Sequence, residues 1–364
     1  MSLITQLGPL DQLDLHSDET LQSILRSDKH QMLEGLIVEA YFQQFLGILS
    51  SHGAHKLPVA LCKAVYKNHD QTWRNPAWWL WNQDSYNNDT DLLESKISAD
   101  SNPIVSCTYE TEANDFIMQR WNQNVVNQPA QAFMMKQRRM AGLTYSKPSD
   151  EVSDDTRYMQ AFWGGLQSIY DHEQLFSEVI LHRLFKNCVI SPFFTALWDV
   201  DNIVRLPSGE LAQFEVKHKY PFERDGKLFF GINRGQLGVM TDLARMGINT
   251  LHMVMVKPKW TDTLSPNYLL QNLDLRSHVL LLGYQLDSAR LSELKYAAGG
   301  TSGNKTSLDG RRPLSFVSIP ATSFHCIGSL DDSVANLASN ISKAAKGELH
   351  NPVTDKQLYD ARTA

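Results

Sequence analysis

Apolar residues recur at three- and four-residue steps through LEGLIVEAYFQQFLGIL, the spacing that lines one face of a helix. Ser17-Asp-Glu-Thr ahead of it has the make-up of a capped start, so the pattern predicts helical structure from about 18 to 65. A second helical stretch is predicted over roughly 158–187, broken near Gly164-Gly165, and a shorter helix through FIMQRWNQNVV. Beyond residue 190 the period shortens to two. WDVDNIVRLPSGELAQFEVKHK, 198–219, turns at Pro207-Ser208-Gly209 and reads as a hairpin over 196–218. KLFFGI follows as a short strand, and a helix runs from about Arg234 to Met246, ended by Gly247. INTLHMVMV is a strand stopped by Lys-Pro. HVLLLGYQL (278–286) and SFVSIP are further strands, and DSVANLASNISKAAK forms a short amphipathic helix.

The polar, acidic segment KPSDEVSDDT, 147–156, has the composition of an interdomain linker or a long loop. It divides the chain into a mainly helical region, 1–150, for recognition or assembly; an α/β core, 151–290; and an extension, 291–364, opening with the Gly/Ser-rich loop 297–312. Trp73, Trp78, Trp79 and Trp81 can stack on bases or build a core, and their non-basic setting favours core. The basic run KQRRM, 136–140, reads as a solvated helix face, with phosphate contact as the lesser alternative. No internal repeat is visible.

Composition adds mainly exclusions. With 364 residues, 42% hydrophobic and 20% charged, the chain is long enough for a substantial core and two or three domains. The net charge of −6 excludes a generally basic nucleic-acid coat but not a local basic groove. Cys62, Cys107, Cys188 and Cys326 lie far apart without a CxxC pair, which argues against a structural zinc site or a disulfide framework. No secretory signal or transmembrane run is present, so a cytoplasmic protein is expected, with no membrane partner. P-loop, GxGxxG, GxSxG and HExxH motifs are absent, so no nucleotide cofactor is expected.

The hairpin carries the chemistry. Residues two apart in a strand share a face, so Asp199 and Asp201 are expected to point the same way. On the return strand Glu215, Lys217 and Lys219 share one face, and His218 takes the other, where packing or hydrogen bonding suits it. Paired acidic faces beside a lysine suit a hard divalent cation such as Mg²⁺. Such an ion serves phosphodiester hydrolysis, and the lysine can position water or stabilise transition-state charge. The bland alternative is an exposed hairpin with cross-strand Glu–Lys pairs.

An acid at the start of a hairpin, here Asp201 or Asp199, followed by Glu215-Val216-Lys217 on the next strand resembles the PD-(D/E)xK nuclease superfamily. The resemblance covers roughly 170–258 and implies a restriction-endonuclease-like or resolvase-like core, a mixed central sheet flanked by helices, with a largely helical N-terminal region added. It implies a preceding helix with a metal-associated glutamate, for which Glu178 is preferred over Glu173, and an early glutamine, Gln236, in the helix after the motif. Trp198 stands where the pattern has a proline. The expected assignment is Glu178, Asp201 and Glu215 as metal ligands, Asp199 as alternate or helper, and Lys217 and Gln236 as catalytic groups. Lys219 and Arg234 are placed for nucleic-acid contact. The implied activity is Mg²⁺-dependent endonucleolytic cleavage of DNA, with Mn²⁺ able to substitute and a homodimer or partner protein in attendance. The alternative is an inactive DNA-binding or assembly protein on the same fold.

Overall fold

The first apolar-periodic stretch forms helices only as far as residue 49. The computed structural model describes residues 2–26, 30–65, 77–82, 88–100, 103–121, 124–143, 156–194, 196–301 and 314–363. Helices α1 (Asp18–Arg26) and α2 (His30–Leu49) come first. A 3-10 turn then ends at Gly53, whose left-handed backbone (φ 74°) reverses the chain. Residues 55–65 are therefore strands, β1 (His55–Lys56) and β2 (Val59–Val65), where continued helix was expected.

The N-terminal region is not largely helical. Strands β3 (Ala77–Asn82), β4 (Ile104–Glu110), β5 (Asp115–Trp121) and β6 (Asn124–Pro129) follow, with α3 (Asn88–Ala99) before β4 and α4 (Ala130–Gln137) after β6. FIMQRWNQNVV lies in β5 and β6, because its apolar run is buried on both faces and carries no strand period. After α5 (Thr156–Gln167) comes a helical run over 172–193, broken at 168–171 and not at the glycine pair, and then β7 (Ala196–Val200). The sheet order is β6-β5-β4-β3-β2-β7. Trp78, Trp79 and Trp81 are fully buried core in β3; Trp79 packs edge-on against Trp121 and Phe194. Trp73 and most of the linker at 147–156 lie outside the described residues. Because β7 completes the N-terminal sheet and 172–193 shares a core with Trp79 and Trp81, the structural division does not fall at residue 150.

The second sheet grows out of the first. β8 (Asn202–Arg205) turns at Pro207-Ser208-Gly209, with Gly209 at φ 85°, into β9 (Leu211–Lys219). β10 (Phe222–Arg224), β11 (Lys227–Asn233), α6 (Arg234–Arg245) and β12 (Asn249–Val256) follow. The chain continues through β13 (Leu280–Leu286), α7 (Ser288–Lys295), β14 (Gly299–Thr301), β15 (Ser315–Pro320), β16 (His325–Ser329), α8 (Val334–Ala345) and α9 (Asp355–Ala361).

The central sheet runs β16-β13-β12-β9-β8-β1, with β9 and β12 parallel and the other pairs antiparallel. Phe42 and Phe45 of α2 and Ile341 of α8 cover one face of it through Phe214, Leu251 and Met253. Leu237 and Met240 of α6 lie with Val254 and Leu282 on the other. Strands β10-β11-β15-β14 make a third sheet. The molecule is thus a mixed α/β fold of sheets flanked by helices. Among the described residues no helix is long and apolar enough to cross a membrane, and all four cysteines are free and buried.

The expected single hairpin strand through Asp199 and Asp201 is two strands. Asp199 pairs with Cys62 in the N-terminal sheet, whereas Asn202 pairs with Phe214 in the central one. Asp201 sits at the step between them. Ile203, 2% exposed, packs with Leu61 and Trp78 across that step. Ile203→Val is expected to cost about 0.5–1.5 kcal/mol, read as a lower urea midpoint with an unchanged slope.

Candidate functional site

Glu215 lies in the middle of β9, fully buried, where an unpartnered carboxylate would be costly. Gln213 donates to its Oε2 at 2.9 Å, and Gln236, in the first turn of α6, donates to its Oε1. Thr250 on the parallel neighbour β12 donates to the Gln213 oxygen at 2.8 Å, which fixes the amide so that its nitrogen faces Glu215. Lys217, on the same face as Glu215, places its Nζ 2.5 Å from Glu215 and 3.5 Å from Asp201. Asp201 accepts a hydrogen bond from the Val216 amide at 3.3 Å. Its carboxyl and that of Glu215 thus meet at the same ammonium.

The electrostatics follow from this crowding. Burial, then the Asp201 charge, pushes Glu215 up to about 8, against the pull of Lys217. Burial works against the Lys217 ammonium, but Asp201 and Glu215 overcome it and hold its pKa above the ordinary lysine value. Glu215 is therefore largely protonated at neutral pH, beside the charged Lys217 ammonium.

A polar cavity of about 30 Å³, room for a water or two, adjoins Asp201 between α2, the 172–193 run and the strand step. Asp199 lines it but is engaged elsewhere. Lys186, nearly buried, pairs with it, and His182 lies 3.6 Å away. Burial would raise the Asp199 carboxyl, but Lys186 and then His182 hold it well below the usual carboxylate range. Glu178 also lines the cavity and is paired with Lys56 at 2.8 Å. Glu173 is exposed further along the same run.

The structure brings together Asp201, Glu215, Lys217 and Gln236, and sets Asp199 and Glu178 in separate ion pairs around the adjoining cavity. Among the described residues no group of three or more His, Cys, Asp or Glu is placed to hold a metal ion, so Glu178, Asp201 and Glu215 do not form one ligand set. The two basic groups expected at nucleic acid are tied to the chain itself. Lys219 donates to the Gly231 carbonyl at 2.6 Å, and Arg234 to those of Lys295 and Ala297. Burial, with Lys217 nearby, pushes Lys219 down to about 7. His218, on the far face, meets the Tyr268 hydroxyl at 2.8 Å.

Sequence reasoning missed Glu39 of α2. Burial, and then the Asp201 charge, raises its pKa, and it shares the polar cavity with Asp201. The signal was present, since Glu39 and Gln43 sit four apart on a helix whose surroundings are apolar. Gln213 likewise sits two before Glu215, on the same strand face. Comparison of the chain with family models, with curated proteins and with solved structures finds no match.

Proposed function

We propose that the chain is a Mg²⁺-dependent nuclease hydrolysing DNA phosphodiester bonds, an endonuclease of defence, recombination or a mobile element. Its core would be restriction-endonuclease-like, made of β8, β9, β12, α2 and α6. The carrying observation is the convergence of the buried Asp201 and Glu215 carboxyls on one ammonium, that of Lys217. Two acids pressed together with a single ammonium make a donor set short of positive charge. Mg²⁺ binds through one or two carboxylates and keeps several waters, so Asp201 and Glu215 fit it without Glu178. A divalent cation there supplies polarisation of the phosphate and an attacking water of lowered pKa.

The chain's own groups do the rest. Gln213 and Gln236 hold the Glu215 carboxylate in one orientation. Lys217, about a third exposed (35%), is in place to orient a water or to meet charge developing on the phosphate. Supercoiled, linear and branched DNA, and RNA, are to be incubated with Mg²⁺ or Mn²⁺ and then with EDTA. Cleavage of DNA that EDTA stops is the expected result; no cleavage of any substrate with either metal sinks the reading.

The second reading, an inactive DNA-binding or assembly protein on the same fold, draws on Lys217 pairing with both carboxyls and on the lack of a three-acid group. Cation binding separates the two. Glu215 must lose its proton to bind, so affinity for Ca²⁺ or Mg²⁺ should rise about tenfold per pH unit up to about pH 8, then level off, with one proton released per ion. Calorimetry in buffers of different ionisation enthalpy reads both, and a pH-independent affinity counts against Glu215 as ligand. Without cation the sign on stability is the reverse. A carboxyl raised by folding contributes fully below its unfolded pKa, and that contribution is lost as pH climbs through about 8.

A further inference from the structure

A cleft of about 400 Å³ opens between the C-terminal half of α2, β1 and the turn before the 172–193 run. Its size is in the range of small-ligand sites, and nothing in the catalytic reading uses it. Gln44, Gly47, His55 and Tyr170 line it, and Lys56 and Glu178 form its inner wall. That ion pair also borders the small cavity that holds Asp201 and Glu39. Gln43 ties the wall to the site. Its Oε1 accepts from Lys56 at 3.2 Å, and its Nε2 donates to Asn202, the neighbour of Asp201, at 3.3 Å. An occupant of the cleft therefore sits one layer of side chains from the carboxyl pair.

We propose that this cleft receives an unstacked nucleobase of the substrate strand, next to the phosphate to be cut; this rests on the nuclease reading above. The lining selects that occupant. His55, half exposed and held by Asp89 at 2.9 Å, offers a ring for a planar group, with Tyr170, 8% exposed, lining the cleft from the core. Base–aromatic stacking is favourable for every base. The Gln44 amide has no hydrogen-bond partner among the described residues and carries both a donor and an acceptor, as does the edge of a base. Among the described residues Lys56 is the one lysine or arginine of the lining, and Glu178 already balances it. That argues against a polyphosphate and for an uncharged ring. The pair also gives Glu178 a role as the group that positions Lys56.

The test uses a single-stranded DNA carrying 2-aminopurine, with Ca²⁺ replacing Mg²⁺. Gly47→Phe fills the cleft, because Gly47 lines it on an exposed helical position where an added Cβ meets nothing within 4 Å. Wild type should quench the 2-aminopurine fluorescence several-fold on binding, as the base stacks on the ring in the cleft. Gly47→Phe should leave it near the free-strand level and weaken binding about tenfold. Gln44→Ala, at an exposed position, should weaken binding less and reduce the quenching in step. Far-UV circular dichroism and Tm confirm that both variants fold. If folded Gly47→Phe binds and fluoresces like wild type, the cleft proposal is overturned, and EDTA-sensitive cleavage of the same strand once Mg²⁺ or Mn²⁺ replaces Ca²⁺ would leave the nuclease reading standing. Cleft-dependent fluorescence without cleavage by any metal would do the opposite. Failure to bind any strand overturns both.

Discussion

Glu215→Gln is expected to abolish cleavage while raising stability. The carboxyl is fully buried, and burial with the Asp201 charge favours its neutral form up to about pH 8. An amide of the same shape keeps a neutral group in that place; its oxygen can accept from Gln213, and the Gln236 amide can turn over to accept from its nitrogen. The repulsion that develops above pH 8 disappears, so Tm in EDTA should exceed that of wild type most clearly at pH 9. The cost is functional, because an amide cannot supply the negative charge a cation requires. A loss of about 10³-fold or more in cleavage rate is expected, equivalent to about 4 kcal/mol of transition-state stabilisation. Asp201→Asn should lose as much activity. Lys217→Ala should keep cation binding, or tighten it by removing the competing ammonium, and still lose cleavage. Retention of wild-type cleavage by Glu215→Gln would remove the carboxyl pair from the mechanism.

Such gains in stability on loss of function are expected wherever like charges are held together for chemistry. That crowding also explains which parts of the site were legible in the sequence. Glu215 and Lys217 could be read because strand alternation is local, Gln236 came only with the resemblance, and the structure sets all three around one point. The turn at Gly209, the α6 helix and strand β12 were legible for the same reason. What could not be read depends on partners remote in sequence. Val59–Cys62 and Phe116–Met118 lie in strands whose two faces are both buried against residues remote in sequence, and burial on two faces erases the period that would announce them. Glu39 stands 162 positions before Asp201, and no local pattern joins them. Asp199 and Asp201 look equivalent in sequence, but the chain changes sheets between them. Register with Cys62 fixes one and register across β9 fixes the neighbour of the other.

That step between sheets makes the two aspartates separable by experiment. Asp199→Ala should destabilise the fold yet leave cation binding intact. Its partner Lys186 is 7% exposed and would be left as a buried, uncompensated cation. Breaking a buried pair in this way costs about 3–5 kcal/mol; since the Asp199 side chain keeps 29% exposure, about 2–3 kcal/mol is the expected loss in urea unfolding. The loss should shrink in strong acid. A carboxyl depressed by its neighbours contributes stability above its unfolded pKa and forfeits it as pH falls through its lower folded value. Removing the cation as well tests the assignment from the other side. The double variant Asp199→Ala with Lys186→Met should recover most of the stability, because the apolar side chain needs no counter-charge in a buried place. Ca²⁺ affinity should stay within about threefold of wild type in both variants, a difference below 1 kcal/mol, and collapse in Asp201→Asn. If Asp199→Ala instead loses the cation and keeps its stability, Asp199 is the ligand and the pair with Lys186 is incidental.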